Sequence, residues 1–67
     1  MEEKVERELQ SIERAILSMA DHSRNLSLWV DDDAGLIEEI EQIVVALHYL
    51  TETLKAKLTL EAFAAKT

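Results

Sequence analysis

The sequence predicts an all-α fold, an antiparallel two-helix hairpin completed by a partner or by dimerisation into a helical bundle. Three observations predict it. Apolar residues recur at spacings of three and four in two separate segments, the pattern of one helix face. The stretch Asp31-Asp32-Asp33-Ala34-Gly35, which holds the chain's single glycine, divides those segments. Proline and cysteine are absent, which excludes disulfide scaffolds, Cys-based zinc sites and turn-rich β folds. At 67 residues the chain is one domain at most.

The first helix is expected over about residues 3–30. Val5, Leu9, Ile12, Ile16 and Met19 share one stripe, which continues through Ser23, Leu26 and Val30 with Ser23 as its polar interruption. Glu6, Arg7, Glu8, Glu13 and Arg14 make a solvated face, and Glu3 leads Arg7 by four residues, the favourable order for an ion pair. The turn is expected over about 31–35. Asp is poor inside helices and good at their N-termini, where its carboxylate accepts orphan backbone N–H groups. One of Asp31, Asp32 and Asp33 should therefore cap the second helix. So short a connection folds that helix back antiparallel.

The second helix is expected over about 34–60, on Leu36, Ile40, Ile43, Leu47, Leu50, Leu54 and Leu58, with Ile37 and Val44 widening the stripe. Glu38, Glu39 and Glu41 come early and Lys55, Lys57 and Lys66 late, as a helix dipole favours. Residues 61–67 form a tail that extends this helix or frays.

Two helices leave a thin core. Ordering the chain costs roughly 1.5 kcal/mol per residue, on the order of 100 kcal/mol in all, and a single seam barely offsets that. The expected seam sets Ile40, Ile43, Val44, Leu47 and Leu50 against Ile12, Ile16 and Met19. Leu17, Leu28, Trp29, Val45 and Tyr49 lie off the stripes and are the expected partner-binding residues, since contiguous exposed apolar surface marks an interface. Alternatively, Trp29 and Tyr49 fold over the end of the hairpin and cap it.

Chemistry finds little purchase. Counting twelve positions from Asp31 or Asp33 reaches Gln42 or Val44, where a calcium loop of the EF-hand type needs Glu. Met19 and Val45, three residues before His22 and His48, replace the Glu of a di-iron helix motif. Ser11, Ser18, Ser23 and Ser27 lack a nucleophile elbow and a base. No enzyme activity, metal, cofactor or small-molecule substrate is expected. Fourteen acids against seven bases leave a net charge of −7, which opposes nucleic-acid phosphates and anionic lipid. The longest apolar run, Ile43 to Leu47, is far short of the ~20 residues that span a bilayer. The acidic start, Met1-Glu2-Glu3-Lys4, is unlike a secretory leader, so a cytoplasmic protein is expected.

The segment Leu36-Ile37-Glu38-Glu39-Ile40-Glu41-Gln42-Ile43-Val44-Val45-Ala46-Leu47-His48-Tyr49-Leu50 resembles the C-terminal helix of the small E-type co-chaperones of type III secretion needle subunits. That family has an acidic Ile-Glu-Gln-like stretch followed by an apolar run ending in His-Tyr or Tyr-Tyr. The resemblance implies a helical hairpin that clamps a larger helical-repeat chaperone and helps keep the needle subunit from polymerising in the cytosol. It covers the second helix alone. The residues themselves leave three expectations open: docking on another helical protein, a self-associating four-helix homodimer acting as a small phage or plasmid regulator, and an acidic nucleic-acid mimic.

Overall fold

In the computed structural model, which describes residues 2–65, helix α1 runs Glu3–Trp29 and helix α2 runs Leu36–Ala65. The two lie side by side in a slab of 54 × 17 × 10 Å between Cα extremes. Among the described residues there is no strand. The fold is the all-α hairpin that the two periodic segments predict.

Local chemistry explains each boundary. Glu3 and Glu6 occupy the first turn of α1, and Glu38 and Glu39 that of α2, where acids complement the exposed N–H dipoles. The Arg7 guanidinium pairs with Glu3 one turn back. At the end of α1, Val30 leaves the helix in an extended conformation while its N–H still reaches the Leu26 carbonyl at 2.9 Å. The chain then turns through Asp32–Gly35, closed by a 3.0 Å bond from the Gly35 N–H to the Asp32 carbonyl. Gly35 takes φ +71°, a left-handed conformation that a side chain would strain.

Asp32 supplies the cap. Its two carboxylate oxygens accept the backbone N–H groups of Ile37 and Glu38, each at 3.0 Å. These bonds, Ile37's first, hold the Asp32 carboxyl below the usual aspartate range. A lowered folded pKa contributes stability that is full above the ordinary aspartate pKa and is lost as the pH falls through the folded value. Asp32→Ala should therefore lower the melting temperature near neutral pH. The gap from wild type should close in strongly acidic buffer, as a pair of thermal melts across pH would show.

The second helix continues to Ala65, so the 61–65 part of the expected tail is helical, while Lys66 and Thr67 lie outside the described residues. That extension leaves Lys55 and Lys57 well inside the helix rather than at its carboxyl end. Lys55 instead crosses to α1 and meets Glu13 at 3.2 Å. The hydrogen bond to Glu13, reinforced by that residue's charge, raises the Lys55 ammonium above the usual lysine range.

The seam differs from the expected one. The buried residues are Leu9, Ile16 and Ser23 on α1 and Ile37, Val44 and Thr51 on α2, with Leu58 half-buried. Each set repeats every seven residues, so one column of each helix closes the hairpin. Val44 and Ile16 are where the apolar pattern puts them. Ile12, Met19, Ile40, Ile43, Leu47 and Leu50 are not, and all six remain substantially exposed. Size favours this column. Ser23, Val44 and Thr51 are small, and Ala20 beside them is half-buried. They make room between the helices for the larger Leu9, Ile16 and Ile37, whereas the other column is Met, Leu and Ile throughout.

Two polar side chains share the seam and are treated differently. The Thr51 hydroxyl donates to the Leu47 carbonyl at 2.7 Å. The Ser23 hydroxyl, 3% exposed, has no partner among the described residues. An unsatisfied buried hydroxyl costs about 1 kcal/mol or more. Ser23→Ala should recover roughly 1 kcal/mol, or several degrees in melting temperature for a chain this small. A lower melting temperature would show that the hydroxyl finds a partner in solution.

Candidate interaction face

Three residues beyond each seam position lies a second column. On α1 it holds Ile12, Met19 and Leu26, and on α2 Ile40, Leu47 and Leu54. All six are between 38 and 45% exposed. The two columns lie on the same side of the slab, because Ile12 and Leu54 line one shallow depression together with Val5 and Leu58. One further step of three or four residues along α2 adds Leu36, Ile43 and Leu50 to the same flank, all exposed. On α1 the same step from Leu26 reaches Trp29 at the rim. The result is an apolar face that runs from the turn to the level of Ile12 and Leu54, with Lys4 and Glu8 entering at the open end.

The opposite flank has another character. It carries the Glu13–Lys55 ion pair and a depression lined by Ala20, Arg24, Glu41, Val44 and Val45. Leu17 and Val45 each follow a seam residue by one position and point to this flank. Leu28 and Tyr49 are on the backs of their helices. Leu17, Leu28, Trp29, Val45 and Tyr49 are thus all exposed, at 67 to 75%, but they are not gathered into one patch. Trp29 alone borders the apolar face, and neither it nor Tyr49 folds over the hairpin end.

Six residues of this face, Ile12, Met19, Ile40, Ile43, Leu47 and Leu50, are ones the periodicity expects in the seam. The sequence did carry a signal for them. Each helix has two apolar columns, a single neighbouring helix covers one, and the other must remain open. Full burial of a large apolar side chain is worth ~1.5–3 kcal/mol, so covering the remaining exposed part of the six column residues is worth on the order of 5 kcal/mol.

The face is built mainly of apolar side chains. Among the described residues no group of three or more His, Asp or Glu could hold a metal, and no helix is long and apolar enough to cross a membrane. No protein-family model matches the chain, and neither a curated protein nor a solved structure matches it.

Proposed function

We propose that this chain is a non-catalytic association module that works by laying its open apolar face against other helices, and that it acts in the cytoplasm. One observation carries the reading: the columns Ile12–Met19–Leu26 and Ile40–Leu47–Leu54 run side by side on one flank of the hairpin with nothing over them. A face of this kind is what helix-in-groove and bundle contacts bury. The likeness of residues 36–50 to the E-type co-chaperones supports a particular role, that of a small co-chaperone docking on a larger helical chaperone. Ile40, Ile43, Leu47 and Leu50, which belong to the apolar face, all lie in that segment.

Light scattering after size exclusion tests the reading. The wild-type chain should leave the column in a complex, and Leu50→Glu should release it as a single copy. A wild-type chain that stays a single, fully helical copy at every concentration contradicts it.

A further inference from the structure

We infer that the occupant of the apolar face is a second copy of this chain, packed face to face with the two turns at opposite ends of a four-helix bundle. This inference rests on the association reading above and specifies its partner and geometry. Three observations carry it.

The first is area. The slab measures 54 by 17 Å between Cα extremes, an outline of roughly 900 Å², so one side of it is large enough to hold the ~800 Å² per partner of a standard stable interface. A second hairpin presents the same outline and so matches the face in length and width.

The second is the neutrality of the face. The flank residues next to the two columns are Leu36, Ile43 and Leu50 on α2 and Ala15, His22 and Trp29 on α1. Charge enters near the open end, at Lys4 and Glu8 beside the α1 column, at Lys57, and at Glu61, which continues the α2 column. A basic partner would look for an acidic rim here and find an apolar one. Apart from Glu8 and Glu61 at the open end, where Lys4 and Lys57 accompany them, the acids lie at the turn, on the far flank or on the backs of the helices. An uncharged face fits an uncharged face, and a C2 pairing needs the same patch on both copies.

The third is the uneven charge along the slab, which selects the orientation. The turn half, residues 15–50, holds seven acids (Asp21, Asp31, Asp32, Asp33, Glu38, Glu39 and Glu41) and one base, Arg24. The described part of the open half balances Glu2, Glu3, Glu6, Glu8, Glu13, Glu52 and Glu61 with five bases, among them Lys4, Arg7, Lys55 and Lys57. Turns placed together would set a net −6 against a net −6. Turns placed apart set each −6 against a net −2, so the opposed arrangement has the lower repulsion. Two copies of charge −7 still repel overall, so added salt should tighten the dimer by screening. A heteromeric role would then proceed by exchange of one copy for the other protein.

The experiment uses the absence of cysteine. Ala34→Cys places a unique thiol in the exposed turn, and a nitroxide there reports the turn-to-turn distance by pulsed dipolar spectroscopy. Opposed turns predict about 50 Å, close to the 54 Å length of the slab. Light scattering on the unlabelled chain should give twice 7.6 kDa, with dissociation reduced as salt is raised. A distance within about 20 Å, the reach of side-by-side helices at one end, overturns the orientation. A complex larger than two copies overturns the single second copy as occupant while leaving association intact, and a dimer that loosens with salt overturns the charge argument for its arrangement. A stable helical monomer insensitive to Leu50→Glu overturns both.

Discussion

Val44→Asp is expected to abolish the hairpin. Val44 lies in the seam and is buried, and the ionisable groups near it are Glu41 on its own helix and Arg24 across the flank. A carboxylate in the seam loses hydration, stands beside the like charge of Glu41 and deletes apolar contact, at a cost of about 4 kcal/mol that Arg24 at the edge of the flank offsets only in part. A domain with a core this thin has little more than that to lose. Far-UV circular dichroism should show most of the helical signal gone. Val45→Asp, one position on and exposed, should leave the signal nearly unchanged. Retained helicity in Val44→Asp would mean that the helices meet along another column.

Leu47→Glu is expected to break the assembly without touching the seam directly, leaving a hairpin with only the stability of that seam. Leu47 sits midway along the apolar face and is 38% exposed in the lone hairpin, so glutamate can keep its charge in water until a partner arrives. Covering the face then strands the charge. In a symmetric dimer the substitution occurs on both copies, and the loss of about 4 kcal/mol weakens association roughly a thousandfold. Sedimentation across concentration reads that directly. Tyr49→Glu, on the back of α2, should leave association close to wild type. If Tyr49→Glu dissociates the complex and Leu47→Glu does not, the working surface is the other side of the slab.

These two substitutions mark how far the sequence could be read. The helices, the antiparallel return and a capping Asp were legible because each is set by local chemistry: spacing of apolar residues, a short connection, and a carboxylate ahead of a helix. Periodicity also placed Ile16 and Val44 where the helices meet. It could not decide between Val44 and Leu47, which lie three residues apart on overlapping stripes. That choice depends on which column leaves room between the helices for its larger residues, so it is made by Ser23, Ala20 and Thr51 on both helices jointly. The Glu13–Lys55 contact, 42 residues apart in the chain, was illegible for the same reason. It depends on register, which helix periodicity does not contain. Leu17, Leu28, Trp29, Val45 and Tyr49 all fall off the stripes, and being off the stripe does not by itself place residues on a common face.

The contrast between the two columns bears on stability as well as on recognition. Leu9, Ile16, Ile37 and Val44 are the buried apolar side chains among the described residues, too few to hold a domain of this length unaided. Folding and association should therefore be coupled, with the apolar face supplying stability that the seam lacks.

The dependence of melting temperature on chain concentration tests that coupling most directly. Mass action makes the melting temperature of an associating chain rise with concentration, and the account predicts such a rise, lost in Leu47→Glu. A high melting temperature that stays constant from dilute to concentrated solution would contradict it.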